Sequence, residues 1–186
     1  MGVANERSIA WGIAKAVHNQ GAELAFSFQG DALKKRVDPL ADSLGSDFVV
    51  PCDVSEPSSM DAVFAAIKER WGQLDFLVHA IAFAKREDLD GRFKDTSRDG
   101  FELALGVSAY SLNVLTQAAE PLMKEGSSIV ALTFLGSERA VQEWHTGPGD
   151  PNLLQRNQLA RLAERFRVLE LNGGEHRDAR LAGIES

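Results

Sequence analysis

Along the first three-quarters of the chain, short continuous apolar runs alternate with stretches whose apolar residues recur every three to four positions. The runs at 22–28, 48–54, 74–82 and 127–134 have strand length and predict strands; the third is broken only by Asp75 and His79. Between them the spacing predicts helices over 8–19, over 31–44 with Asp31 as cap, and over 58–71 with Ser58 as cap. The last of these carries Met60, Val63, Phe64, Ile67 and Trp71 on one face. A longer helix is expected over 96–123, interrupted near its start. Strands that stay apolar throughout, separated by helices, predict an α/β fold built on a parallel sheet covered on both faces.

After residue 134 the pattern changes. Gly147-Pro148-Gly149-Asp150-Pro151 breaks helix and strand alike. One amphipathic helix is then expected over 153–171, with Leu159, Leu162, Phe166 and Leu169 on one face, ended by Asn172-Gly173-Gly174. No further strand is expected. Lys124 is the last lysine, and every later basic residue other than histidine is arginine. A shift of that kind hints at another reading frame or another source. The chain therefore divides into an α/β part, 1–140, and a divergent tail, 141–186.

Composition narrows the function classes. The 186 residues are 44% hydrophobic and 25% charged, ordinary for a globular domain. No apolar run is long enough to span a bilayer, and no signal peptide is expected. The net charge of −7 argues against nucleic acid or an anionic membrane as partner. Lys34-Lys35-Arg36, flanked by acids, reads as a solvated helix face. A single cysteine, Cys52, leaves no internal disulfide and fits a reducing cytoplasm; inside an apolar run it reads as a small buried hydrophobe. The four histidines show no metal spacing, and no metal is expected.

The candidate chemistry starts at the N-terminal end. Gly2-Val3-Ala4-Asn5-Glu6-Arg7-Ser8-Ile9-Ala10-Trp11-Gly12-Ile13-Ala14 reads as a phosphate-binding turn and first helix, or as an ordinary N-capped helix. In the first reading Gly2 lets the backbone approach a pyrophosphate. Ser8 offers a hydroxyl and a backbone N–H, and Gly12 allows close helix–sheet contact. Such a turn normally follows a buried strand, and only Met1 precedes it, so the first strand of the fold is expected to be absent. Gln29 falls at the end of a strand, where an Asp or Glu would accept from both ribose hydroxyls, so residue type does not settle NADH against NADPH. Asp53 reads either as an acceptor for an adenine amino group, with Val54 packed on the ring, or as a plain turn residue.

Residues 2–140 resemble the NADH-dependent enoyl-acyl-carrier-protein reductases of bacterial fatty-acid synthesis, a branch of the short-chain dehydrogenase/reductase superfamily. The resemblance rests on the N-terminal motif together with Phe28-Gln29-Gly30-Asp31, Cys52-Asp53-Val54 and Val78-His79-Ala80-Ile81-Ala82-Phe83-Ala84. It continues in Asp95-Thr96-Ser97-Arg98-Asp99-Gly100-Phe101, Ser108-Ala109-Tyr110-Ser111 and Leu135-Gly136-Ser137-Glu138-Arg139-Ala140. It implies a Rossmann-like doubly wound sheet, here without its first and C-terminal strands. It also implies NADH bound by Gly2, Ser8, Ile9, Gln29, Asp53, Val54 and Ile81, and an acyl substrate bordered by Ala84. The implied partner is a 2-enoyl thioester on acyl carrier protein, in the cytoplasm, with homo-oligomers as in the family.

The same resemblance exposes a defect. The family uses a tyrosine to stabilise the enolate formed by hydride transfer, and a lysine seven residues later to hold the nicotinamide ribose. In register, Trp144 and Pro151 stand at those positions, and Phe134 replaces a second tyrosine. Neither Trp144 nor Pro151 can do that work. Tyr110, the sole tyrosine, has no lysine at the family spacing and reads as structural. No catalytic residue is therefore assigned. The alternative to a working reductase is a silent nucleotide-binding remnant or a truncated or frame-shifted product.

Overall fold

The computed structural model describes residues 1–89, 93–133 and 167–172. Helix and strand alternate as the periodicity predicts: α1 (Ile9–His18), β1 (Phe26–Phe28), α2 (Gly30–Ser43), β2 (Val49–Pro51), α3 (Pro57–Arg70) and β3 (Phe76–His79). There follow a single turn, α4 (Arg86–Leu89), then α5 (Arg98–Leu105), α6 (Ser111–Ala119), β4 (Ser128–Thr133) and β5 (Arg167–Asn172). The strands are shorter than the apolar runs, whose ends pass into the flanking loops.

The chain forms two compact units, residues 1–73 with 78–80, and residues 74–77 with 81–186. In the first, β1 and β2 pair in parallel, Phe26 opposite Val49 and Phe28 opposite Pro51. Val3, Ala10, Trp11, Ala14, Phe26, Phe28, Val37 and Ala41 form its buried core. At the entry to β2, Phe48 meets Trp71 edge-on at 5.0 Å. Arg70 covers the Phe48 ring at 4.9 Å while pairing with Asp47, which joins the end of α3 to the sheet. In the second unit the buried side chains include Leu112, Leu115, Ala119, Ile129 and Ala131.

Four points define how the expectations turn out. The strands at 22–28 and 74–82 were expected either to meet or to leave a gap, and a gap is what forms: β1–β2 and β3–β4–β5 are separate ladders. Where a strand would run beside β3, the Met1 amino group donates to Val78 O (2.9 Å) and the Ala80 N–H to Met1 O (3.3 Å). That is the pattern of a single parallel bridge opposite His79. Second, residues 167–172 form β5, parallel to β4 with Ser128 opposite Arg167, so a C-terminal strand is present. It replaces the end of the helix expected over 153–171, whose earlier part lies outside the described residues. A segment as short as Val168–Leu171, with Glu170 between apolar residues, fits both periods, and pairing with β4 satisfies its backbone as a strand.

Third, the caps differ. Gln29 precedes α2, with Asp31 in its first turn, and Glu56 precedes α3 because Pro57, with its fixed φ, takes the first helical position. Fourth, the long helix is interrupted in its middle rather than near its start. Gly106–Tyr110 winds as a π-helical turn between α5 and α6.

Leu115 is fully buried on α6 and Leu89 is 46% exposed. Leu115→Ala is expected to destabilise the protein by about 2–5 kcal/mol and Leu89→Ala by less than about 0.5. Denaturant midpoints of the two variants measure the contrast.

Candidate functional site

The N-terminal turn is held by backbone contact. Gly2 has φ +100°, and a Cβ there would lie 2.1 Å from Ala80 O. Its missing side chain leaves room for the backbone of Ala80, just beyond β3, in a conformation that favours glycine. Val3 then enters the core beside Trp11 and Phe26. The Ser8 hydroxyl donates to Asn5 O at 2.6 Å and its N–H to the same carbonyl at 3.1 Å. Both donors expected to serve a phosphate therefore close the loop on itself. Ile9 opens α1 with its side chain 52% exposed. Gly12 is exposed too, and a Cβ there would meet nothing within 4 Å, so it supports no helix–sheet approach.

The opposite side of the candidate site is built at the C-terminal ends of β1 and β2, where open α/β sheets bind ligands. Gln29 Nε2 donates to Asp53 Oδ2 at 2.9 Å, and the Ser55 N–H to Asp53 Oδ1 at 2.8 Å. These bonds, the Gln29 bond first, hold the Asp53 carboxyl below the usual carboxylate range. Val54 follows, half-buried. The structure thus joins Gln29 to Asp53 directly. A cavity of about 320 Å³ in the same unit, lined by His18, Glu23, Leu24, Phe48 and Trp71, involves residues that precede the strands and none of these.

Two buried titratable groups of the same unit are chemically quiet. Burial pushes the Cys52 thiol up to about 11, as its reading as a small hydrophobe implies. His79 is fully buried; burial and then the Met1 ammonium bring its pKa down to about 4. No cluster of His, Cys, Asp or Glu among the described residues could hold a metal ion.

In the second unit Ile81 and Ala84 are half-buried on the segment that leaves β3. The residue between them, Phe83, is gripped by a side chain the sequence named only within a motif. Ser108, buried in the π turn, accepts from the Phe83 N–H (3.1 Å) and donates to its C=O (3.3 Å). Asp88 was missed altogether. It is buried, accepts from the Ser97 N–H and hydroxyl at 3.1 Å each, and lies where a Cβ on Gly100 would meet Oδ2 at 1.7 Å. The signal for Ser108 was a polar residue inside an apolar stretch; Asp88, within the charged run Lys85-Arg86-Glu87-Asp88, offered none. Tyr110 is 58% exposed, so its ring is no core element. Phe134, Trp144 and Pro151 lie outside the described residues.

Residues 2–146 match the enoyl-(acyl carrier protein) reductase family. The chain belongs to this family. It is 50% identical over 145 residues to an NADH enoyl-acyl-carrier-protein reductase of Rhizobium meliloti, covering 78% of this chain and 53% of that protein. A homologue from Enterococcus faecalis is 51% identical, over 78% of this chain and 57% of its own length. The chain thus spans about half the length of the curated relatives it matches. Among solved structures, the Anaplasma phagocytophilum reductase in complex with NAD superposes with TM-score 0.87 at 41% identity, covering 95% of this chain and 69% of that one. The Bacillus cereus reductase with NADP+ and an indole naphthyridinone gives 0.87 at 40% identity, covering 100% and 74%. The α/β reading with parallel strands stands on these likenesses.

His79 generates a pH prediction. Its pKa is depressed from 6.5 to about 4, so the unfolded chain binds a proton in that window that the folded chain does not. The contribution is complete above pH 6.5 and is lost as pH falls through 4, amounting to about 3 kcal/mol at most. His79→Gln should flatten the acid limb of stability against pH, read from denaturant midpoints between these values.

Proposed function

We propose that this chain carries the nucleotide-binding part of an NADH-dependent enoyl-acyl-carrier-protein reductase, a cytoplasmic oxidoreductase of type II fatty-acid synthesis. The family reaction is reduction of a 2-enoyl thioester on acyl carrier protein. The observation that carries the reading is the Gln29–Asp53 pair at the C-terminal edge of two parallel strands, a polar fixture suited to an adenosine. On this reading NADH is held by Gly2, Ser8, Ile9, Gln29, Asp53, Val54 and Ile81, with Ala84 bordering the acyl chain. When bound, the nucleotide supplies the hydride; this chain's own residues bind and orient it. Self-association follows from the same reading, as do the lack of a nucleic-acid partner and of a membrane partner. Among the described residues no helix is long and apolar enough to cross a membrane.

A second reading, nucleotide binding without turnover, is favoured by Trp144 and Pro151 at the tyrosine and lysine registers. An oxyanion donor is worth about 2.7–4 kcal/mol, roughly a hundred- to a thousandfold in rate, and here the cation is missing as well. The purified chain is expected not to oxidise NADH above background with a saturating 2-enoyl thioester. Trp144→Tyr with Pro151→Lys should not restore turnover, because Pro148 still breaks the helix that would position both. Turnover by the unmodified chain would falsify the silent reading. Calorimetric titration should show NADH binding weaker than micromolar, since a phosphate must displace Asn5 O from both donors of Ser8. Micromolar binding would show that this loop opens readily.

A further inference from the structure

We infer that Ser108 is a positioning residue for the segment Ile81–Ala84: its hydroxyl fixes the backbone of Phe83, and through it the face that the segment offers a ligand. The inference rests on the nucleotide reading above, in which Ile81 helps to hold NADH and Ala84 borders the acyl chain. Residues 80–85 belong to no helix or strand, and the side chain of Phe83 is 53% exposed. Neither a ladder nor burial of its ring therefore fixes Phe83. A single side-chain oxygen does. Ser108 Oγ accepts the Phe83 N–H at 3.1 Å and donates to the Phe83 C=O at 3.3 Å. In extended backbone the two polar groups of one residue face the same side, which is how a ladder partner engages both. The hydroxyl stands in for a neighbouring strand. Successive residues of such a chain alternate in direction, so the bond to Phe83 also sets which way Ala84 turns.

The serine is held in its own right. It is buried in the π turn Gly106–Tyr110, where the Ser111 N–H reaches back to Gly106 O. The Ser111 hydroxyl donates to Val107 O at 2.7 Å, and Ala109 and Leu112 beside it are buried. Ser108, Phe83 and the whole segment belong to the second unit. A fixed hydroxyl thus acts on an exposed stretch of chain, which is ordered before a ligand arrives and costs less to order afterwards. The fold depends on the bond far less. Phe83 lies at the surface, where water replaces a lost hydroxyl at its N–H and C=O. Loss of the hydroxyl should therefore appear in binding and in local motion, not in the stability of the unit.

The test is an NMR titration of the whole chain with NADH and, separately, AMP, in the unmodified protein and in Ser108→Ala. AMP carries the part of the nucleotide that this reading gives to Gln29 and Asp53, and lacks the rest. Ser108→Ala should weaken NADH by about tenfold and AMP by less than about twofold. An unchanged NADH affinity overturns the inference. So does an equal loss for both nucleotides, which would mean that the effect is not confined to the segment. Amide exchange of the free protein supplies a readout that needs no ligand. Ser108→Ala should speed exchange at the Phe83 N–H by about tenfold or more and leave the amides of α6 and β4 unchanged. A rise across α5, α6 and β4 alike overturns the inference, since Ser108 would then support the fold as a whole. Failure of both nucleotides to bind the unmodified chain overturns the nucleotide reading itself. The exchange pattern then decides alone whether Ser108 holds the segment.

Discussion

The meeting of Gln29 with Asp53, on which the nucleotide proposal rests, depends on the parallel pairing of β1 with β2. Parallel strands run out at the same edge, and the register that sets Phe28 opposite Pro51 carries both chains to the same level. The Cys52 N–H donates to Phe28 O at 2.8 Å, closing the ladder one residue beyond β2. Gln29 and Asp53 are the next residues to emerge, and they meet. A slip of one residue would reverse which face each side chain takes and separate the pair. The register is held by what lies under it. Phe26 and Phe28 point into the core, and the crossover helix α2 returns with Val37 and Ala41 completely buried. The polar pair is the exposed end of an apolar constraint.

The second unit uses a different device. Its segment between β3 and α5 has little regular structure, and buried polar groups fix it where packing alone would not. Ser108 satisfies both backbone groups of Phe83, a tie available because the helix widens to a π turn there. Asp88 accepts two donors of Ser97, and the Ser97 side chain caps α5 through the Gly100 N–H at 3.0 Å. A carboxylate at a helix N-terminus is favoured by the dipole, which helps offset its removal from water. Gly100 is then required, since any side chain there would occupy the position of the carboxylate. This chain of contacts explains Asp95-Thr96-Ser97-Arg98-Asp99-Gly100 as a structural unit.

Most of the architecture was legible because hydrophobic period is a strong local signal: α1, α2, α3 and the first four strands stand where spacing puts them. The strand ends were overdrawn, because an apolar side chain in a loop looks the same as one in a ladder. β5 was missed because Val168–Leu171 is too short for period to decide, and its strand state is set by β4, a nonlocal partner. Of the candidate site, Gln29 and Asp53 were each read at the end of a separate strand, and their mutual bond was invisible, since register is not written in either segment alone. Ser8 and Gly2 were read for a ligand; what the sequence did not show is that Ser8 bonds to Asn5 O and that Gly2 lies against Ala80. Glycine in a motif signals close approach without saying what approaches.

Binding and chemistry in such a fold come from different kinds of structure. The adenosine end is recognised by groups at strand ends, whose positions follow from the ladder. Stabilising an enolate needs a hydroxyl and a cation one helical register apart, preorganised before the charge appears. Binding that is equal in ground and transition states does not raise the rate of the chemical step. On the proposed reading, a chain with Gln29 and Asp53 at the strand ends but Trp144 and Pro151 at the tyrosine and lysine registers would keep the first kind of interaction without the second. Nucleotide affinity and turnover would then be separable properties. The residues that set the first can be altered at β1 and β2 without touching the segment on which the second depends.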